Sequence, residues 1–293
     1  MSLRAGWMLG LLLAGAACAG GGRHTQATLR DDLGAPVALS APARRIVSLS
    51  PSITEILFTI GAGPRVVGRT RWGDYPPAAS AVPSVGDGLE PNVELVVARH
   101  PDLVVFYASQ ANDRAIAQLG ALGIATASIK LDRLDDLPGA ARLLGRLSGA
   151  ASRADSLADA FGRELDSARA ALPPAAHRAA VIVWDNPPIV IGAGSFLTEL
   201  LALAGARNVF ADVTQPSAPT SVEALSARDP DLLLVFGASV PPELKGLQWQ
   251  SVQAVRRHHV VTVSGSEFER PSFRALTAVR ELEAAIAHAG RAP

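Results

Sequence analysis

A stretch of this chain occurs twice, and the repeat confines the fold to two related halves. Residues 93–106 read VELVVARHPDLVVF; residues 222–235 read VEALSARDPDLLLV. The offset is constant at 129, from Glu94 to Glu223 and from Pro101 to Pro230. A second echo precedes each copy. Thr54, Glu55, Leu57, Gly61 and Ala62 return as Thr198, Glu199, Leu201, Gly205 and Ala206, at an offset of 144. Two similar lobes make one cleft between them, and such junctions are favoured places for small-molecule sites.

Each half alternates short β-branched runs with helical segments, which implies parallel β-α units and an α/β fold. In the first half, strands are expected at 45–49, 66–68, 103–106 and 126–129. Ser52 and Glu55 form an S-x-x-E capping box expected to open a helix reaching Ile60. A further helix is expected over 111–122. In the second half, strands are expected at 180–184, 232–236 and 260–263. Ser195 caps a helix through Ala204, and a closing helix runs over 272–289. Between the halves, Leu157, Phe161, Leu165, Ala168 and Leu172 share one face at spacings of 4, 4, 3 and 4. That pattern predicts one amphipathic helix over 148–172, roughly 33 Å long, stopped by Pro173-Pro174. A single long helix is a stiff connection; the alternative is a helix packed wholly on one lobe. The plan is therefore a first lobe at 44–147, a bridging helix at 148–173 and a second lobe at 174–293.

The 27 basic and 27 acidic residues cancel, so there is no basic field for nucleic acid and no basic tract for anionic lipid. The N-terminus reads as an export signal over 1–18. Arg4 precedes an apolar run of 11 residues, from Trp7 to Ala17, too short to span a bilayer. The run ends at Cys18, the only cysteine, behind Gly15, Ala16 and Ala17. This end resembles the lipobox of bacterial lipoproteins, whose cysteine is lipidated; the other reading is an ordinary secretory signal. One cysteine excludes a disulfide framework. Residues 19–43 are Gly-rich, then polar, and read as a flexible tether.

Three larger pieces carry a resemblance. RIVSLSPSITEILFTIGA at 45–62, WGDYPP at 72–77 and VELVVARHPDLVVF at 93–106 resemble the substrate-binding proteins of metal-chelate ABC importers. Those are receptors for cobalamin, haem and ferric siderophores. NPPIVIGAGSFLTELLALAGARNVFAD at 186–212 is most similar to the cobalamin-binding branch. The resemblance covers about residues 44–288. It implies two Rossmann-like lobes joined by one long rigid helix, with the ligand in the cleft between them. It also implies a monomer that hands its ligand to a membrane permease driven by a cytoplasmic ATPase. This chain carries no G-x-x-x-x-G-K-[ST] loop, so the ATPase is a separate protein.

The family's receptors use one surface glutamate per lobe to pair with permease arginines; the matching positions are Glu94 and Glu223. Each also follows a plausible N-cap, Asn92 or Ser221, by two residues, so helix-dipole stabilisation is the competing account. Glu90 is the rival in the first lobe. For the ligand, both tyrosines of the chain, Tyr75 and Tyr107, fall in loops expected at the cleft, with Trp72 close to Tyr75. Phe106 and Tyr107 end one strand and Trp184 ends the matching strand of the second lobe, where α/β proteins hold ligands. Flat aromatics cover a corrin or porphyrin face at low entropy cost. Phe268 lies in the loop that matches the family's last cleft loop. Asp74, Asp87, Asp185 and Asn186 could accept hydrogen bonds from corrin amides, or simply shape turns. None of the six histidines has metal-site spacing, and His258-His259 reads as a solvated pair. No bound metal and no cofactor are expected. No G-x-S-x-G, catalytic cysteine or G-x-G-x-x-G appears, so an enzyme is disfavoured. An adhesion or sensor lipoprotein is the remaining class. Haem ligation by Tyr75, Tyr107 or a histidine stays open.

Overall fold

The computed structural model describes residues 29–289, apart from Leu89, Pro173 and Ala238. The signal and Cys18 lie outside the described residues.

The first lobe is a four-stranded parallel sheet. Its strands are β1 (Ile46–Ser48), β2 (Val66–Arg69), β3 (Leu103–Tyr107) and β4 (Ala125–Ile129), in the order β2-β1-β3-β4. They are covered by α1 (Pro51–Thr59), α2 (Val93–Val97) and α3 (Asp113–Ala121). The chain then turns through α4 (Asp136–Ser148) and α5 (Ala151–Ala170).

The second lobe holds β5 (His177–Asp185), β6 (Pro188–Ile191), β7 (Ala206–Asn208), β8 (Ser217–Pro219), β9 (Leu232–Phe236) and β10 (Val260–Val263). Its helices are α6 (Phe196–Leu203), α7 (Val222–Arg228), α8 (Gln253–Arg256), α9 (Ser266–Glu269) and α10 (Ala275–Ala289). The parallel strands run β7-β5-β9-β10, the same order as in the first lobe. The antiparallel pairs β5–β6 and β6–β8 are additions to that shared frame. Central parallel strands are buried on both faces, which is why they read as unbroken apolar runs. In β3, Leu103 and Val105 join one core while Val104 and Phe106 join another on the opposite face.

The repeat is mostly a device for turning from helix into strand. Asp102, at the start of β3, accepts the amides of Arg44 (2.8 Å) and Arg45 (3.0 Å) ahead of β1. Asp231, at the start of β9, accepts the amide of Arg178 in β5 at 2.9 Å. The guanidinium of Arg45 donates to the carbonyls of Arg99 and His100, and that of Arg178 to the carbonyl of Arg228. The equivalent residues His100 and Asp229 share a left-handed backbone, with φ of 48° and 46°. The second echo stops a helix in each lobe. Gly61 (φ 80°) follows α1 and Gly205 (φ 76°) follows α6, a left-handed exit that glycine adopts without steric cost.

Four expectations change. Proline fixes the first turn of α1, so the helix begins at Pro51 behind Ser50. That places Ser52 and Glu55 inside the helix, both buried, and no S-x-x-E cap forms. The bridging helix is shorter than 148–172. Ser148 ends α4, left-handed Gly149 breaks the path, and α5 begins at Ala151. Its buried face is Ala154, Ala158, Phe161 and Leu165, while Leu172 is exposed. α4 and α5 form a tightly packed antiparallel hairpin, with Arg142 of α4 paired to Asp155 and Asp159 of α5. The described part of the expected tether is no free linker. The amides of Ser128 and Lys130 donate to the carboxylates of Asp31 (2.9 Å) and Asp32 (2.8 Å), and Val37 and Ala43 are buried. Finally, the second sheet is mixed rather than purely parallel.

The lobes are not two separate cores. One apolar cluster includes Ile53 of α1, Leu144 of α4, Phe161 of α5, Leu200 of α6, Leu234 of β9 and Leu282 of α10. Phe161 meets Phe273 edge-on at 5.0 Å between ring centroids, which ties α5 to the loop before α10.

Candidate functional site

The loop after β2 carries Trp72, Asp74 and Tyr75. Trp72 is 58% exposed, with the guanidinium of Arg71 5.7 Å from its ring centroid. Arg71 also pairs with Asp87 at 3.1 Å, so Asp87 braces this loop. The loop is held from the other lobe. Arg270, buried after α9, donates to the Trp72 carbonyl at 2.8 Å and to Asp74 Oδ1 at 3.1 Å. Arg274 places its guanidinium 3.8 Å from the centroid of the Tyr75 ring.

Both arginines meet Glu55. Arg274 grips its carboxylate with two bonds, 2.8 and 2.9 Å, and Arg270 Nε approaches to 3.5 Å. Arg274 also pairs with Glu267. Glu55 is only 3% exposed, and a carboxylate there is tolerable because the bidentate fork satisfies it.

Tyr107 ends β3. Strand alternation leaves it 38% exposed while its neighbour Phe106 is fully buried, so of these two only Tyr107 can face a ligand. Its hydroxyl donates to Asp132. Burial, then the bond to Asp132 and its charge, push the phenol up to about 12. In the second lobe Trp184 is 60% exposed, and its indole N–H donates to the Asn186 carbonyl at 2.8 Å. Asp185 and Asn186 border a hollow of about 540 Å³ with Ser221, Val222 and Trp249.

One candidate is corrected. Phe268 is 2% exposed and packs in the main core, because its neighbours Arg270 and Arg274 turn that loop inward onto Glu55. The candidates therefore form three clusters: Trp72, Asp74, Tyr75 and Asp87; Tyr107 with Asp132; and Trp184 with Asn186. Sequence reasoning missed Arg270, Arg274 and Asp132. Glu55 was visible in the repeat, and the arginine-containing ERPSFR segment was its available counterpart.

Glu94 and Glu223 are exposed in the first turns of α2 and α7. Asn92 Oδ1 accepts the Leu95 amide and Ser221 Oγ accepts the Ala224 amide, both at 3.1 Å, so both expected N-caps form. Its own backbone amide, then the Ser221 hydroxyl, hold the Glu223 carboxyl below the usual carboxylate range. Glu90 and Glu94 edge a groove of about 940 Å³ between α2 and α3. Among the described residues, no group of three or more metal-ligating side chains exists, and no helix is long and apolar enough to cross a membrane.

The family described as periplasmic binding protein matches residues 46–266. A vitamin B12-binding protein of Pectobacterium atrosepticum is 28% identical over 87% of this chain and 93% of its own length. The periplasmic vitamin B12 binding protein BtuF of Vibrio cholerae has the same fold, with a TM-score of 0.70 at 24% identity, covering 85% of this chain and 99% of that one. The periplasmic heme-binding protein RhuT of Roseiflexus sp. RS-1 superposes with a TM-score of 0.74 at 25% identity, covering 85% of this chain and all of that one. The chain belongs to the periplasmic binding protein family, a family of transport receptors and not of enzymes, whose members work in the periplasm with an ABC importer permease.

Proposed function

We propose that this receptor captures a corrinoid of the cobalamin type between its lobes and delivers it to the permease through Glu94 and Glu223. The observation that carries the reading is the pair of exposed tryptophans, Trp72 on one lobe and Trp184 on the other. Two flat apolar rings suit a planar macrocycle. The B12-binding name of the relative above supports the same class. On this reading Tyr107, Asp74 and Asn186 add polar contacts, Cys18 carries a lipid anchor, and the protein acts as a monomer with lobes at 44–147 and 174–293. Calorimetry of the mature protein with cyanocobalamin and cobinamide tests it: one ligand per chain is expected. No heat with either, together with a Soret shift on adding haemin, overturns it in favour of haem.

Haem is the second reading, favoured by the likeness to the Roseiflexus protein. For iron ligation, Tyr107 would have to lose the proton that its hydroxyl donates to Asp132. Lobe closure on binding is expected to be small, since the core is continuous across both lobes. Scattering curves with and without ligand should nearly superimpose.

A further inference from the structure

The echoed glutamates at an offset of 144 have no part in the function proposed above, yet both reach across the junction of the lobes. Glu55, on α1 of the first lobe, is held by Arg270 and Arg274 of the second. Glu199, on α6 of the second lobe, is held by Arg133 (3.0 Å), the Leu134 amide (2.8 Å) and Arg169 (3.0 Å). Arg133 also donates to the Ala193 carbonyl at 2.7 Å. The two clasps use equivalent positions of the repeat in opposite directions.

They differ in what else they hold. The Glu199 clasp ends on backbone groups and on Asp135, which Arg169 grips at 2.7 and 3.0 Å. The Glu55 clasp continues into the Trp72–Asp74–Tyr75 loop. Arg270 is 7% exposed at its side chain and spends its two terminal nitrogens on that loop, one on the Trp72 carbonyl and one on Asp74. A buried guanidinium loses its hydration and must be satisfied by protein groups, so its position and that of the loop determine each other.

We infer that Arg270 is a positioning residue of the binding site: paired by charge with Glu55 at 3.5 Å, it fixes the aromatic loop of the first lobe in its ligand-ready shape from the second lobe through its two terminal nitrogens. This inference rests on the cleft reading above, because it makes that loop part of the site. Arg274 supports it by orienting Glu55 and lying against Tyr75. Preorganising a loop raises affinity by removing the ordering cost from binding.

The test compares wild type with Arg270→Lys, Arg270→Met and Glu55→Gln. Hydrogen exchange is followed in the unliganded protein, and cyanocobalamin affinity by calorimetry. In Arg270→Met, exchange over residues 70–80 should quicken by about tenfold or more, as loss of charge-assisted hydrogen bonds warrants, while β3 and β9 stay protected. Cyanocobalamin affinity should fall. Arg270→Lys keeps the charge but not the fork, and should show the same local quickening with a folded core. If the 70–80 segment exchanges as in wild type in both Arg270 variants, the positioning role is overturned, whatever the ligand. If exchange quickens but affinity does not change, the loop lies outside the site and the inference fails. If wild type itself binds no corrinoid, the function reading fails alone, and the exchange result still decides the positioning role.

Discussion

Glu94 and Glu223 differ from Glu55 and Glu199 in almost every physical respect except that both pairs repeat. The first pair stands exposed in short helices. The second is turned inward, with side chains 3% and 10% exposed and arginines from the opposite side of the junction on each. A repeated carboxylate marks a position that both lobes need. It does not say whether the need is a surface or a joint. The partner decides that: an inward carboxylate requires a nearby guanidinium, while an outward one has water.

The largest effect expected from breaking this contrast is on transport. Reversing Glu94 and Glu223 together to lysine should abolish ligand uptake in cells while ligand binding by the purified protein stays intact. Either single reversal should give a partial loss, because one anchor remains. Normal uptake by the double variant, with a lowered melting temperature, would make the outward pair structural and the docking role wrong.

Next comes stability at the inner pair. Glu55→Ala removes the carboxylate shared by buried Arg270 and partly buried Arg274 and should destabilise the fold by about 3–5 kcal/mol, read from denaturant midpoints at constant m-value. A loss below about 1 kcal/mol would put Glu55 with surface pairs. Glu199→Ala should cost less, about 1–2 kcal/mol, because Arg133 and Arg169 are 40% and 35% exposed and water can replace the carboxylate. Equal costs at the two clasps would mean that exposure of the arginines does not matter.

The frame of the molecule was legible because it rests on local periodicity. Strand runs, the glycines that end α1 and α6, and the Asn92 and Ser221 caps all lie within a few residues of what they control. α4 has no counterpart among the sequence expectations, although Leu137, Ala140, Ala141, Leu144 and Leu147 carry a helical stripe, all buried. Only its last residue, Ser148, falls within the helix expected over 148–172. The clasps were not legible. Glu55 and Arg274 are far apart in sequence, and S-x-x-E offered a nearer partner. Only the fold shows that Pro51 starts the helix early and turns Glu55 inward. Phe268 failed for the same reason, since nothing local distinguishes a cleft aromatic from a core one.

Asp132 is a third kind of carboxylate, neither outward nor clasped by arginine, and the smallest effect concerns it. It accepts from the Tyr107 hydroxyl, and burial with this bond raises the phenol to about 12 from an ordinary 10. Because the folded-state value is raised, the folded protein keeps this proton where the unfolded chain has lost it. The contribution to stability is therefore intact below about pH 10 and declines as pH rises through about 12. In a Tyr75→Phe background Tyr107 is the one remaining tyrosine, so phenolate absorbance reports it alone. The midpoint should sit near 12 and move toward 10 in Asp132→Asn. An unchanged midpoint would assign the shift to burial alone, which is the larger cause, and leave Asp132 no hold on the ring. The same background separates the two ligand classes. If Tyr107 remains a neutral donor, Tyr107→Phe should leave any Soret shift with haemin unaltered and weaken cyanocobalamin binding only modestly. Loss of a haemin Soret shift in that variant would instead make the tyrosine an iron ligand, and Asp132 the base that must release it.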